Sequence, residues 1–272
     1  MLKISDDMFD KLTYRIRADY GINLDTKQTL VEGRLSQPAL ARGFRDINDY
    51  LAFVFEDETG QEMLNVVNRI TTNHTFFMRE AEHFRFLSSV IMPYIENTVL
   101  DKDVRIWCAG CSTGQEAYSL AITINDYFGH RKGGWDTVIL ATDINSDALQ
   151  TAREAVYPQD ALQGLTQDQI DRYFIRLSNG DYRVCDYLRS EVNFKRFNLM
   201  EPIVYKKPFD LISCRNVTIY FDTATKDALF DRFYECTKPG GYLFTGHAEN
   251  VSRNSPYEYI QPATYRKTGH MI

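Results

Sequence analysis

From about residue 104 the chain alternates short, almost wholly apolar runs with amphipathic stretches of helical length, and this rhythm restricts the fold more than any other feature. The runs are VRIWCA (104–109), TVILAT (137–142), FDLISC (209–214) and GYLFTG (241–246), with helical patterns near 114–128, 146–156 and 223–237. Strands that lack polar alternation are buried on both faces, and the helices between them act as crossovers. The pattern predicts an α/β domain with a mostly parallel sheet covered on both sides. The closing YEYIQPATYRK (257–267) predicts a final antiparallel strand pair.

Between about 158 and 196 the alternation lapses. Thr166-Gln167-Asp168-Gln169 is a capping-box start for a short helix. NGDYRVCDY and EVNFKRFNL then read as strands, with a turn at Asn179-Gly180. This interval is expected to be a small β-subdomain inserted into the α/β domain, which spans 98–272. The residues before it carry helical patterns only. In 1–70 they fall near 27–36, 46–56 and 59–71, after a first helix that Ser5 would cap and Gly21 would stop, with Phe9, Leu12 and Ile16 on one face. Residues 71–97 read as a linker and a connecting helix from about Glu80 to Glu96.

A net charge of −6 and a pI near 5.4 argue against nucleic acid as the partner. The start, MLKISDDMFDKL, has no apolar run fit for a leader, and no stretch nears the ~18 apolar residues of a membrane span. With five cysteines, an odd number, the expected compartment is a reducing cytoplasm, without direct membrane insertion. Only one C-x-x-C occurs and no partner pair follows it, so no metal is expected.

That C-x-x-C lies in WCAGCSTG (107–114), which has two readings. A thiol redox site needs an exposed, low-pKa cysteine, whereas Cys108 falls inside a buried-strand pattern. The other reading is a small-residue loop between strand and helix, where a ligand can approach Gly110 and the helix N-terminus. Asp143, 29 residues after Gly114 and at the end of the next strand, is placed to bond ribose hydroxyls. It is equally suited to cap the following helix, in competition with Ser146. Glu116 sits in the first helical turn, where the dipole favours a carboxylate and where a cationic ligand group would meet it. Arg215, Asn216 and Tyr220 follow the strand FDLISC, Phe197-Asn198-Leu199 precedes it, and TTNHTFFMRE (71–80) sets Asn73, Thr75 and Arg79 among aromatics.

The motifs TTNHTFFMRE, AGCSTGQEAYS, ATDINSDALQTA, FNLMEP, FDLISCRNVTIYFD and KPGGYLFTGHAE, in that order over roughly 71–249, resemble the chemotaxis protein methyltransferase (CheR) family. The resemblance implies a Rossmann-like class I methyltransferase domain behind an all-helical N-terminal domain. It implies transfer of a methyl group from S-adenosylmethionine to glutamate carboxylates of chemoreceptors, leaving S-adenosylhomocysteine, by a protein that is monomeric by family default. Carried over by position, Asn73, Thr75, Arg79, Glu116, Asp143, Asn198, Leu199, Arg215 and Asn216 become cofactor contacts beside Gly110. Arg79 and Tyr220 would flank the methyl group as catalytic residues.

There are departures from the family pattern. An arginine-rich docking helix is replaced by EGRLSQPALARGFR, interrupted at Pro38, and 1–70 holds nine Lys/Arg against twelve Asp/Glu. The hairpin at LSNGDYRV is short for gripping a receptor C-terminal pentapeptide, so recognition without such a tether is expected. Met78 stands for a family aromatic and Gln115 for a family glutamate. Three other readings remain open at this stage: a family member with another signalling protein as substrate, a nicotinamide-dependent oxidoreductase using His247, and a non-catalytic cofactor-binding signalling module.

Overall fold

A computed structural model describes residues 2–71 and 73–269. Residues 1 and 270–272, the outer ends of the two domains read from sequence, and Thr72 of the TTNHTFFMRE stretch lie outside the described residues. The chain divides into two compact units. One gathers the residues before Asn73 with Tyr220–Thr225, and the other holds Asn73–Ile219 and the chain from Lys226.

The first unit contains α1 (Asp6–Tyr20), α2 (Gln28–Ala41), α3 (Ile47–Glu56) and α4 (Gln61–Ile70). Phe9, Leu12 and Ile16 of α1 are buried with Val31, Leu35, Leu51, Val54 and Val66 in one core. Gly21 ends α1 at φ 73°, as the sequence predicts, but Ser5 makes no side-chain cap and donates its hydroxyl to Asn48 Oδ1 instead, at 3.1 Å. Pro38 does not interrupt α2. It sits in the last turn, where its missing N–H removes one bond near the end of the ladder.

Tyr220–Thr225 were read from sequence as part of the methyltransferase domain, and the structure corrects this. Asn23 N–H donates to the Tyr220 carbonyl at 2.7 Å, Ile22 bridges Phe221, and Lys27 Nζ lies 5.0 Å from the Tyr220 ring centre. A single long-range bridge carries no periodicity for a sequence to reveal.

The second unit begins with α5 (Glu82–Phe86), a π-helical turn (Leu87–Ile91) and α6 (Met92–Thr98). Then come β1 (Ile106–Ala109), α7 (Gln115–Phe128), β2 (Ile139–Asp143), α8 (Ser146–Glu154), β3 (Val156–Tyr157), α9 (Gln167–Tyr173), β4 (Phe174–Arg176), β5 (Tyr182–Val184) and α10 (Asp186–Ser190). The chain finishes with β6 (Val192–Arg196), β7 (Phe209–Ser213), α11 (Thr223–Cys236), β8 (Thr237–Phe244), β9 (Tyr257–Gln261) and β10 (Thr264–Lys267).

The main sheet has the order β6-β2-β1-β7-β8-β10-β9, and β10 runs antiparallel to both of its neighbours while the other pairings are parallel. Ile106 and Cys108 of β1 join Phe84, Leu87, Ile91, Ala117 and Leu120 on one face. Trp107 points to the other, with ring centres 5.3 Å from Phe233 of α11 and 5.4 Å from Phe209. Both faces of β1 are therefore covered, as its apolar run requires.

The separate three-stranded sheet has the order β3-β5-β4, and its hairpin turns at Asn179-Gly180 with Gly180 at φ 92°. The inserted subdomain is smaller than the expected 158–196. Val192–Arg196 leaves it and pairs in parallel with β2, forming the edge of the main sheet. The capping box is present: Thr166 Oγ1 accepts from Gln169 N–H at 3.2 Å, and Gln169 Oε1 accepts from Thr166 N–H at 3.1 Å. Thr166→Ala is expected to cost about 1 kcal/mol of stability, read by chemical denaturation.

Candidate methyl-donor site

In this sheet the chain runs outward from β1 to β2 and β6 in one direction and from β7 to β8 in the other, so the order reverses between β1 and β7. Ligands of open α/β sheets bind at such a reversal, outside the carboxyl ends of the strands. The loops after β1, β2, β6 and β7 carry most of the residues singled out from sequence.

The loop after β1 is held by its neighbours. Gly110 and Cys111 N–H groups both donate to the Thr142 carbonyl, at 2.7 and 2.9 Å. Ser112 N–H donates to Asp143 Oδ2 at 2.7 Å, and Ser112 Oγ donates to the Asn73 carbonyl at 3.1 Å. Asn73 is thereby tied to the loop, while Thr75 lies half-buried two residues on. Asp143 also accepts from Asn145 N–H at 2.9 Å. Burial raises its pKa, and the backbone donors oppose this. Asp143 is not the cap of α8: Asn145 performs that role, accepting from Ala148 N–H at 3.0 Å.

Neither thiol of the C-x-x-C can serve as a redox nucleophile. Cys108 and Cys111 are buried, and burial pushes both pKa values well above the ordinary thiol range. Cys108 Sγ donates to Glu116 Oε1 at 3.6 Å and Cys111 Sγ to the Ser112 carbonyl at 3.8 Å.

Glu116 does more than complement the helix dipole. Its Oε1 accepts from Ser213 Oγ at 2.7 Å, and its Oε2 pairs with Arg215 Nη1 at 3.1 Å. The Arg215 side chain is 1% exposed and also pairs with Glu80 Oε2, at 3.2 Å. It donates to the Arg79 carbonyl as well, and lies 5.4 Å from the Phe84 ring centre. A buried guanidinium thus joins α7, β7 and the TTNHTFFMRE segment. Burial works against ionisation of Glu80, but Arg215, Asn216 and the His247 N–H outweigh it, and its pKa is lowered.

Asn216 has φ 59°, and its Nδ2 donates to Glu80 Oε1 at 3.3 Å. Its backbone N–H donates to Glu249 Oε2 at 2.7 Å, while Glu249 Oε1 accepts from Thr218 N–H and Oγ1, at 2.6 and 2.8 Å. Gly246 N–H adds a bond to Oε2 at 2.5 Å. Glu249 therefore fixes the loop after β7, and neither it nor Glu80 was among the expected site residues. Both close quoted motifs, and a carboxylate at the end of such a motif was the available signal.

Arg79 donates to the His74 carbonyl at 3.0 Å, with its guanidinium 5.8 Å from the Phe76 ring centre. Phe77 anchors this segment, packing edge-on against Tyr157 and Phe174 at 5.1 and 5.4 Å. Met78 N–H donates to Ser119 Oγ at 2.9 Å. After β6, Phe197 N–H donates to the Asp143 carbonyl at 3.1 Å, which sets Asn198 and the buried Leu199 beside the end of β2. Hydrogen bonds and ion pairs thus tie these residues into two groups within the second unit, Asn73 with Asp143 through Ser112, and Arg79, Glu116 and Asn216 with Arg215 and Glu80. Tyr220 belongs to the first unit, and its neighbours there are those given above.

Residues 73–266 match the family model described as the CheR methyltransferase SAM-binding domain, and residues 7–71 match that of the CheR methyltransferase all-alpha domain. Chemotaxis protein methyltransferases of Borreliella burgdorferi and Klebsiella aerogenes are each 37% identical to the chain. The alignments cover 98% and 97% of it, and 96% and 90% of those proteins. The Escherichia coli chemotaxis protein methyltransferase is 36% identical over 92% of this chain and 87% of its own. Both domain models and nearly full-length relatives agree with loops gathered at the reversal of a seven-stranded sheet, and the chain belongs to the CheR family of S-adenosylmethionine-dependent methyltransferases.

Proposed function

We propose that this protein methylates glutamate side chains of chemoreceptors, giving γ-glutamyl methyl esters and S-adenosylhomocysteine. The observation that carries the reading is the grouping of Asp143, Glu116 and Arg215 at the strand ends beside the sheet reversal. The donor set fits the cofactor. Asp143 and Glu116 are acceptors for ribose hydroxyls and an ammonium group, and Arg215 Nε is a buried donor with no partner among the described residues.

S-adenosylmethionine, when bound, supplies an electrophilic methyl group on a sulfonium whose leaving group is a neutral thioether. The acceptor carboxylate is already ionised at pH 7, so the chain needs no general base and no metal for this step. A carboxylate oxygen pair forms the new O–CH₃ bond as the CH₃–S pair returns to sulfur. The chain's task is alignment and removal of water from the acceptor. We assign orientation of the acceptor carboxylate to Arg79 and a hydroxyl contact to Tyr220. Asn73, Thr75, Gly110, Asn198, Leu199 and Asn216 are assigned to the cofactor. The protein is further proposed to act in the cytoplasm as a monomer, without a pentapeptide tether.

Calorimetric titration should show binding of S-adenosylmethionine and S-adenosylhomocysteine but not of NAD. Binding of NAD alone would overturn the assignment. Radiolabelled donor offered with chemoreceptor cytoplasmic fragments should leave base-labile label on the receptor. Arg79→Ala and Tyr220→Phe should each lower turnover about ten- to a hundredfold, as expected for lost bonds to a charged group, while Cys108→Ser retains it. Unchanged turnover in both of the first two variants would remove the assigned roles.

A further inference from the structure

Glu80, His83 and His247 lie together in the second unit, with one possible ligand atom from each within 4.8 Å of the others. His83 is 1% exposed, and its Nε2 faces the Ala263 carbonyl at 3.2 Å. A carbonyl can only accept, so Nε2 carries the ring proton and the neutral ring presents its lone pair at Nδ1. That Nδ1 is buried and has no hydrogen-bond partner among the described residues. Glu80 Oε2 faces it at 3.6 Å and is also an acceptor.

Glu80 is partly exposed and its Oε2 already accepts from Arg215 Nη2 at 3.2 Å, so the atom left unsatisfied is His83 Nδ1, which a proton or a cation shared with Glu80 would satisfy. A proton would put an imidazolium in the core beside Arg215. A divalent ion likewise adds positive charge beside Arg215, but it leaves the ring neutral, satisfies Nδ1 and gathers a ligand atom from His247, which a proton does not. A histidine whose second nitrogen donates to a backbone carbonyl is in the arrangement that orients metal ligands. Donor atoms around a tetrahedral zinc lie roughly 3.3 Å apart for bonds near 2.0–2.1 Å. The Glu80–His83 separation is already close to this, and the exposed His247 is free to complete the set.

We propose that Glu80, His83 Nδ1 and a ring nitrogen of His247 form a binding site for a zinc-class divalent ion, with a fourth position open to water or another ligand. Two imidazoles and one carboxylate suit zinc, cobalt or nickel better than magnesium or calcium. The site is independent of the function proposed above, because carboxylate methylation asks for no Lewis acid. Glu80 also holds Arg215 and Asn216, so an ion here would draw on the carboxylate that braces the loop after β7.

The test is titration of the full, reduced chain with Co²⁺ and Zn²⁺, followed by calorimetry and visible absorption. We expect one ion per chain with the ligand-field bands of a four-coordinate nitrogen–oxygen site, and no displacement by Mg²⁺. His247→Ala leaves the core intact and should weaken binding by at least about tenfold, since even outer-shell changes cost that much. Failure to bind, thiolate charge-transfer bands pointing to the cysteines, or equal affinity in His247→Ala would each overturn the proposal.

Discussion

Replacing Arg215 by alanine is expected to lower the unfolding free energy by about 3–5 kcal/mol, the usual cost of removing one partner of a buried ion pair. The guanidinium is 1% exposed and stands between Glu80 and Glu116, whose side chains are 13% and 12% exposed. Without it both carboxylates remain largely desolvated and keep hydrogen bonds from Ser213, Asn216 and the His247 N–H, but they lose their cationic partner. The dependence on pH separates this account from simple loss of packing. In the parent protein the pKa of Glu80 is lowered. Its contribution is therefore present above the unfolded-state value of about 4.3 and lost as pH falls through the folded value. In Arg215→Ala the burial of Glu80 persists without its main compensating charge, so its pKa should rise above the unfolded value. The variant is then most penalised near neutral pH and is relieved as pH falls. Denaturant titrations at pH 7 and pH 5 should show the gap to the parent narrowing at the lower pH, and an equal gap at both would rule out the charge-pair account. Arg215→Met combined with Glu80→Gln and Glu116→Gln should recover much of the lost stability.

What a sequence can show depends on the range of the signal. The runs containing Ile106–Ala109, Ile139–Asp143 and Phe209–Ser213 declare themselves because burial on both faces leaves few polar positions, a property of consecutive residues. The Thr166–Gln169 box is likewise local, being a contact between residues three apart. The same logic explains why Val192–Arg196 was assigned to the inserted subdomain. An edge strand exposes alternate residues, so it resembles a hairpin arm, and its partner in β2 lies about fifty residues earlier. The bonds of Arg215 with Glu80 span 135 residues, and those of Glu249 with Thr218 span 31. Such pairings follow from strand order, which no single motif encodes. Strand-end position drew attention to Asp143, Arg215, Asn216 and Tyr220. The roles given to Thr75, Asn198 and Tyr220 came from family motifs. Nothing local marked Tyr220–Thr225 as belonging with the helical unit, because the determining contacts are with residues 22–27.

Gly110→Ala is expected to cost about 2–5 kcal/mol and to abolish measurable binding of the methyl donor. Two separable effects contribute. Gly110 has φ 87°, and an alanine in the left-handed region costs about 1–2 kcal/mol. Its Cβ would also come within 2.3 Å of Val217 Cγ2, an overlap of the kind that costs about 1–3 kcal/mol on overpacking. Val217 is β-branched and stiff at χ1, so it has little room to yield by rotation. The overlap matters for function because Gly110 follows β1 and Val217 follows β7, so the clash pushes apart the two loops on either side of the sheet reversal. Gly43 provides the control: it has φ 88° with nothing within 4 Å of a built Cβ. Gly43→Ala should therefore show the backbone cost alone and leave donor binding intact. Adding Val217→Ala to Gly110→Ala should restore part of both stability and affinity. If Gly110→Ala matched Gly43→Ala in stability and still bound the donor, the close approach of the two loops would have no part in forming the pocket.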